Sequence, residues 1–242
     1  MALRNLVPGL LEMLLPAHCI LCGLRSHGGR LCGPCAEELP RLGQACRQCA
    51  VPIMHSGLML CGACLRHPPA WDSAIAALCY EYPVDQLVQR FKFHHNFACG
   101  QLLADELAGA LQRSVEPGPE QLPTDFLLPV PLHFTRRFQR GFNQAELLAR
   151  SVGAELHIPV RVDLLQRTRR TAAQSGLDRT ERRKNIRGAF ACRDLAGKRI
   201  ALVDDVLTTG LTLEACARAV RKAGASHVSI WVAARVPGPI RR

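Results

Sequence analysis

From Trp71 onwards, the apolar and polar positions follow two patterns in turn, one typical of buried strands and the other of amphipathic helices. Strands are predicted at residues 74–82, 126–131, 200–206 and 227–236. Helices are predicted at residues 101–113, 143–156 and 212–223. Strands that alternate with helices predict an α/β domain over residues 71–242, with a mainly parallel sheet flanked by helices.

The first 66 residues show neither pattern. They contain few large apolar side chains, and the proline-rich stretch RHPPAW separates them from the rest of the chain. They hold four CxxC pairs, and two such pairs can surround one Zn²⁺ with four thiolates. We therefore predict a small domain over residues 1–66, folded around two structural zinc sites. The predicted ligands are Cys19, Cys22, Cys32, Cys35, Cys46, Cys49, Cys61 and Cys64.

The CxxC pairs can combine sequentially or in an interleaved way. Residues 19–35 and 46–64 each resemble one ribbon-like hairpin, an internal repeat that favours sequential pairing. A disulfide scaffold is the alternative, but nothing indicates secretion, and a redox CxxC would normally stand alone. Four histidines are expected to face solvent: His18, His27, His55 and His67. The remaining cysteines are expected to fill core positions: Cys79, Cys99, Cys192 and Cys216.

The positive charge of the chain is local. The 242 residues include 31 Lys+Arg and 20 Asp+Glu, a formal net charge of +11, and residues 133–199 hold 16 Lys+Arg and 6 Asp+Glu, a net +10. Such a region suits a polyanion or a phosphate-rich ligand. Nowhere does the chain reach the roughly 18 apolar residues of a membrane span, and no cleaved signal is recognisable. We expect a cytoplasmic protein without membrane insertion.

The segment IALVDDVLTTGLT, residues 200–212, joins a buried strand to a helix. Its loop offers consecutive backbone N–H groups at a helix N-terminus, an arrangement that suits a phosphate monoester. The phosphate-binding residues would be Thr208, Thr209, Gly210, Leu211 and Thr212. Asp204 and Asp205 would repel this phosphate but can accept hydrogen bonds from neutral ribose hydroxyls. A phosphate followed by a ribose fits a 5-phosphoribosyl group.

Other interpretations of this segment explain less of it. A Walker B strand is disfavoured because no G-x-x-x-x-G-K-[ST] motif occurs in the chain. A receiver-type acidic pocket would not need the TTG sequence. An ordinary strand and capped helix would account for Gly210 and Thr212, but not for two adjacent acids at a strand end, where such acids usually serve ligands.

Residues 200–212 resemble the 5-phosphoribosyl-1-pyrophosphate (PRPP) motif of type I phosphoribosyltransferases. The CxxC pairs, LLPVPLHFTRRFQRGFNQAELLA, TAAQSGLDRTERRKNIRGAF and the PRPP motif together resemble the ComF/GntX family in order and spacing, over nearly the whole chain. The resemblance implies a type I phosphoribosyltransferase-like domain behind a double zinc-ribbon segment, and a role in natural competence and DNA uptake. Leu211 stands where a small residue is usual, which should be tolerated because only its backbone N–H would touch phosphate.

The resemblance also implies roles for individual residues in a phosphoribosyltransferase whose acceptor is undefined. Asp204 and Asp205 would hold the ribose, and PRPP would bind together with Mg²⁺. Basic side chains would hold the pyrophosphate: Arg136, Arg137 and Arg140, with Lys92 as a weaker contributor. The TERRKN stretch would belong to a mobile flap.

A second hypothesis is a non-catalytic module that binds single-stranded DNA or acts as an adaptor. Phe134, Phe138 and Phe142 recur every four residues among arginines, as expected of a face that stacks bases and contacts phosphates. Inward packing of these rings is the favoured alternative. By analogy with other zinc ribbons, the N-terminal segment would dock a competence or DNA-uptake protein.

Overall fold

Four parallel strands form the main sheet. The computed structural model describes residues 17–26, 29–54, 57–114, 124–132, 138, 140–168, 186 and 188–238. The strands are β1 (Ser73–Cys79), β2 (Phe126–Pro129), β3 (Leu165–Arg167), β4 (Phe190–Cys192), β5 (Arg199–Leu207) and β6 (His227–Arg235). The main sheet has the order β1-β6-β5-β2, whereas β3 and β4 form a separate antiparallel pair. All neighbouring strands of the main sheet are parallel, which confirms the predicted architecture.

The helices lie against the sheet and within the cysteine-rich segment. Their bounds are α1 (Gly33–Glu37), α2 (Gly62–Arg66), α3 (Val84–Phe93), α4 (Phe97–Ser114), α5 (Gln144–Glu155) and α6 (Leu211–Lys222). None of the helices in the described ranges combines the length and apolar character needed to cross a membrane.

The sheet separates two apolar cores because successive side chains of a strand point to opposite faces. On one face, Val203 and Trp231 pack with buried residues of α3, α4 and α5. On the other face, Leu202 and Ile230 pack with α6 and with the β3–β4 pair. The central strand β5 is therefore covered on both sides, as is usual for parallel sheets.

The two cysteine-rich repeats pack on different faces of the sheet. The first repeat, residues 17–38, lies beside α4, where Arg30 Nη1 is 2.9 Å from an Asp105 carboxylate oxygen. The second repeat, residues 44–66, joins the opposite core through the buried Cys46, Cys49 and Cys64. The first repeat thus packs on a helix that covers one face of the sheet, and the second repeat packs in the core on the other face. The sequence patterns did not predict this packing.

Helix α3 and the β3–β4 pair are absent from the sequence-based prediction. For α3, the signal was present in the sequence, because Val84, Leu87, Val88 and Phe91 have the spacing of one helix face and are all buried. The β3–β4 strands span only three residues each, too few for a clear period-two pattern. The other predicted elements match the observed ones to within a few residues at each end.

Two glycines of α4 provide a matched test of packing between α3 and α4. A Cβ added at Gly100 would lie 2.5 Å from Phe91 Cε2, whereas one at Gly109 would meet only the flexible tip of Arg113 at 3.1 Å. We expect Gly100→Ala to destabilise the protein by about 1–3 kcal/mol through overpacking. Gly109→Ala should be neutral or stabilising by up to about 1 kcal/mol, because alanine favours helix. Urea unfolding of both variants tests this, and an equal effect at the two sites would contradict it.

Candidate functional site

The carboxyl end of β5 brings two acidic side chains to one edge of the sheet. Asp205 is 6% exposed, and its Oδ2 lies 2.6 Å from Lys92 Nζ of α3. Asp204 is partly buried, and its Oδ1 accepts a hydrogen bond of 2.9 Å from the Asp205 backbone N–H. The structure therefore brings together Lys92 and the two acids that the sequence singled out.

Burial and the neighbouring Asp205 carboxylate make the Asp204 carboxyl costly to ionise. Burial, and secondarily the adjacent Asp205 carboxylate, raise the pKa of Asp204 to about 7, although the Lys92 ammonium acts in the opposite direction. A carboxyl with a raised pKa is destabilised in its charged form. The pair is thus arranged to receive hydrogen-bond donors or a cation.

Residues 208–212, here called the 208–212 loop, comprise the three residues between β5 and α6 and the first two residues of α6. Gly210 has φ 79°, in the left-handed region that glycine adopts without strain, and it caps the start of α6 without a side-chain hydrogen bond. Its carbonyl accepts from Glu214 N at 2.8 Å. Because Gly210 has no side chain, the N-cap residue does not occupy the backbone N–H groups in the first turn of α6. A phosphate site at a helix N-terminus uses such N–H groups.

Only part of the predicted pyrophosphate-binding set lies in the described residues. Arg136, Arg137 and the TERRKN stretch fall outside them. The Arg140 guanidinium lies 4.8 Å from the centre of the Phe93 ring, and its backbone carbonyl is 3.0 Å from His95 Nε2. Arg140 therefore sits beside the end of α3 that carries Lys92.

The three phenylalanines of the basic segment do not share one environment. Phe142 packs against the rings of Phe91, His95 and Phe97, at centroid distances of 5.5, 5.5 and 5.3 Å. Phe138 is 85% exposed. The expectation of inward packing is therefore confirmed for Phe142 and wrong for Phe138, while Phe134 lies outside the described residues.

Each cysteine-rich repeat gathers four sulfurs around one point. The Sγ atoms of Cys19, Cys22, Cys32 and Cys35 lie within 4.8 Å of one another, and so do those of Cys46, Cys49, Cys61 and Cys64. Zn–S bonds of about 2.3 Å in a tetrahedron imply S–S edges of about 3.8 Å. The observed Cys22–Cys32 and Cys49–Cys61 separations are both 3.6 Å, so the donors fit zinc and the sequential pairing is confirmed.

The other cysteines and the histidines lie where the sequence indicated. Cys99 and Cys216 are buried, and Cys79 and Cys192 are partly buried. Of the four histidines, His18 and His67 are exposed, and the other two lie outside the described residues. None of these residues belongs to a metal-binding cluster in the described part of the chain.

Comparison with known proteins agrees with this arrangement. A double zinc ribbon domain matches residues 10–65, and a phosphoribosyl transferase domain matches residues 128–241. Competence protein F of Haemophilus influenzae is 33% identical over 223 residues, which cover 90% of this chain and 96% of that protein. The chain belongs to the ComF/GntX family.

Other members of the ComF/GntX family align over similar lengths. DNA utilization protein YhgH of Escherichia coli is 32% identical, with 91% of this chain and 98% of that protein covered. Competence protein ComFC of Streptococcus pneumoniae is 27% identical, with 88% and 97% covered. A solved purine phosphoribosyltransferase from Pyrococcus horikoshii is 21% identical over 54% of this chain and 69% of that chain, with a TM-score of 0.32, too low to support an argument.

The sequence analysis missed Arg235, the last residue of β6. It is 1% exposed, and it lies beside Leu207 in the register of β5 and β6. Its Nη1 donates to the Leu207 carbonyl at 3.1 Å and to the Thr208 carbonyl at 3.3 Å. A signal was available, because Arg235 is the one charged residue in the otherwise apolar run VSIWVAARV, and charged residues are seldom fully buried without partners.

Removing one predicted zinc ligand should empty one site. Cys64→Ser should lower the zinc content from two ions per chain to one, because three thiolates bind zinc more weakly than four. Cys192→Ser is the matched control: burial raises the pKa of Cys192 to about 11, so this thiol stays protonated at neutral pH, and two ions should remain. Zinc analysis of the purified proteins by mass spectrometry decides the matter, and two ions in both variants would count against the assignment.

Proposed function

We propose that this protein binds PRPP together with Mg²⁺ at the carboxyl edge of the sheet, and that it acts in natural competence and DNA uptake. The observation that carries the first part is the acidic pair Asp204 and Asp205, placed directly before a left-handed Gly210 and the start of α6. Pyrophosphate would leave the ribose C1 as the acceptor bonds to it, and the identity of the acceptor stays undefined.

The 208–212 loop would hold the 5′-phosphate. Backbone N–H groups at a helix N-terminus favour an anion both by hydrogen bonding and through the helix dipole. The first turn of α6 does hold one acid, Glu214, but its carboxylate is bonded to Arg218 at 2.7 Å and to the Ala70 backbone N–H at 3.1 Å. The negative charge that opposes phosphate binding there is therefore partly neutralised.

The acidic pair would hold the ribose, because carboxylates accept hydrogen bonds from neutral hydroxyls. Lys92 now pairs with Asp205. A ribose that binds this carboxylate would release the Lys92 ammonium towards the pyrophosphate, in agreement with the role that its sequence position suggests. Arg140, at the same end of α3, would add a second cation.

Displacement at the ribose C1 has a cationic, loosely bonded transition state, so that no covalent nucleophile is needed. The residues of this chain would contribute by fixing the ribose and the phosphate in one orientation and by stabilising the negative charge of the leaving pyrophosphate. Mg²⁺ prefers oxygen ligands, which carboxylates and phosphates supply, and it would add positive charge at the pyrophosphate.

The names of the relatives support the cellular part of the proposal. Competence protein F, YhgH, a DNA utilization protein, and ComFC each align with at least 88% of this chain. The double zinc ribbon match, residues 10–65, spans both cysteine clusters, and the phosphoribosyl transferase match, residues 128–241, spans the acidic edge. We infer that a double zinc-ribbon segment and a PRPP-binding domain serve DNA uptake together.

Replacing both acids should abolish PRPP binding. Asp204→Asn with Asp205→Asn removes the negative charge that orients the ribose hydroxyls and Mg²⁺, so calorimetry should detect no PRPP affinity. Burial raises the pKa of Asp204 to about 7, so ionisation of this carboxyl above that pH lowers the free energy of unfolding. Asp204→Asn removes this cost and should therefore not destabilise the protein at pH 8. Asp163→Asn, a carboxylate bonded to Arg161 at the surface, is the control that should bind normally. Unchanged PRPP affinity in the double variant would refute the site.

Single-stranded DNA binding is a second candidate function, because Phe138 is 85% exposed within the basic segment and Phe93 is 60% exposed under Arg140. Exposed rings beside guanidinium groups can stack bases while the cations contact phosphates. This function needs no catalysis and is compatible with PRPP binding at the neighbouring acidic edge.

Phe138→Ala should weaken binding of a single-stranded oligonucleotide by about tenfold, since stacking contributes about 1–3 kcal/mol per base. Tyr82→Ala, an exposed ring at the opposite end of α3, should leave it unchanged. Affinity should also fall steeply with salt. Fluorescence anisotropy at several salt concentrations measures both effects. Affinity no better than that of an equally basic control protein would remove the DNA-binding candidate.

A further inference from the structure

The buried Arg235 links three parts of the chain. Its Nε donates to the Cys49 carbonyl at 2.8 Å, and its Nη2 donates to the Gly238 carbonyl at 2.7 Å. Its Nη1 bonds to the Leu207 and Thr208 carbonyls, and also to that of Val236. The side chain thus joins the second cysteine cluster, the start of the 208–212 loop and the segment after β6.

The hydrogen bonds of Arg235 fix the positions of these three segments relative to one another. A guanidinium is planar, and its N–H donors have a fixed fork geometry. A carbonyl that moves at one end of the fork must therefore either turn the group or lose its hydrogen bond. Arg235 Nε, Nη1 and Nη2 each donate to backbone carbonyls, and the guanidinium also interacts with the Cys49 side chain. The position of the group therefore depends on the backbone of each segment and on the second cysteine cluster.

The carbonyl bonded by Nε belongs to a predicted metal ligand. Cys49 lies in a knuckle in which Ala50 N donates to the Cys46 carbonyl at 2.8 Å and Ala50 has φ 53°. A non-glycine residue with positive φ is strained, so this turn needs support from elsewhere. Metal bound by the Cys46 and Cys49 sulfurs would supply it and so hold the Cys49 carbonyl in place.

Among the described residues, the first cysteine cluster is connected to α3 and not to the 208–212 loop. Its repeat contacts α3 and α4, for example through Arg90 Nη1, which donates to the Ile20 carbonyl at 3.0 Å. In the ranges that the structure describes, no hydrogen bond joins this repeat to the 208–212 loop. The two clusters therefore differ in their relation to the phosphate-binding edge, although they form an internal repeat.

We propose that Arg235 is a positioning residue through which metal binding at the second cysteine cluster orders the 208–212 loop and raises its affinity for phosphate ligands. This inference rests on the proposed function of the loop. It assigns the two clusters different tasks: the second orders the 208–212 loop, whereas the first stabilises its own repeat and the contacts of that repeat with α3 and α4.

The repeat itself supplies a matched pair of variants. Cys61 directly precedes α2, just as Cys32 directly precedes α1. Cys61→Ser and Cys32→Ser, made in the full chain and each checked to hold one zinc ion, disable one cluster at a time. Hydrogen exchange of peptides covering residues 207–212 is measured without ligand, and affinity for PRPP with Mg²⁺ is measured by calorimetry.

Cys61→Ser should speed exchange in residues 207–212 and weaken PRPP binding at least fivefold, the lower end of typical couplings between sites. Cys32→Ser should leave exchange in residues 207–212 within about twofold of the wild type, below that coupling range, because in the described residues its repeat contacts α3 and α4 and not this segment. Arg235→Lys keeps the charge but not the fork, so it should retain two zinc ions and yet reproduce both effects. Adding Cys61→Ser to Arg235→Lys should then cause little further change, because both act on one connection.

Equally fast exchange of residues 207–212 in Cys61→Ser and Cys32→Ser, or unchanged exchange in Arg235→Lys, would overturn the coupling. Cys61→Ser and Arg235→Lys each predict faster exchange in residues 207–212. If one of these two variants does not fold, the other therefore still tests the coupling. The exchange measurement needs no ligand. A wild-type protein that fails to bind PRPP would therefore refute the proposed function, while the exchange data would still test the connection between the second cluster and the loop.

Discussion

The parallel pairing of β5 with β6 and β2 is the interaction on which the rest of the structure depends. Because the four strands of the main sheet run in one direction, their carboxyl ends meet at a single edge. That edge collects Asp204 and Asp205, the start of the 208–212 loop and Arg235. The same pairing leaves both faces of the sheet apolar, so that each face requires a cover. Helices supply most of this cover, and the cysteine-rich repeats complete it on each side.

Metal coordination and sheet packing have complementary roles in the N-terminal segment. The repeats are too poor in large apolar residues to fold around cores of their own, and four thiolates around an ion supply the missing free energy. Packing then decides where the repeats lie. Cys46, Cys49 and Cys64 are buried in the core beneath α6, whereas Cys22 of the first repeat is exposed. The second repeat therefore shares one apolar core with β5, β6 and α6 of the phosphoribosyl transferase domain.

The sequence predicted what depends on local pattern. The strands and most helices follow from apolar spacing, and the cysteine clusters follow from CxxC repeats whose members are close along the chain. The acidic pair was recognised because adjacent acids at the end of an apolar strand have no packing explanation. Contacts between distant segments were not predictable. No local feature shows that Lys92 reaches Asp205, or that Arg235 reaches Cys49, 186 positions away. Such contacts follow from strand order, which a single sequence does not specify.

The distribution of charge distinguishes the two candidate ligands. Outside residues 133–199 the chain has 15 Lys+Arg and 14 Asp+Glu, obtained as 31 − 16 and 20 − 6, so the excess of positive charge is confined to that segment. A basic surface attracts a small phosphate compound and a nucleic acid alike. Asp204 and Asp205 do not attract phosphate groups, because carboxylates repel them. These two side chains can instead accept hydrogen bonds from hydroxyl groups or bind a cation. Single-stranded DNA lacks the 2′-hydroxyl that a free ribose would present. On the proposed function, the acidic edge would hold the ribose of a phosphoribosyl ligand, whereas a DNA contact would belong to the exposed aromatic and basic surface around Phe138.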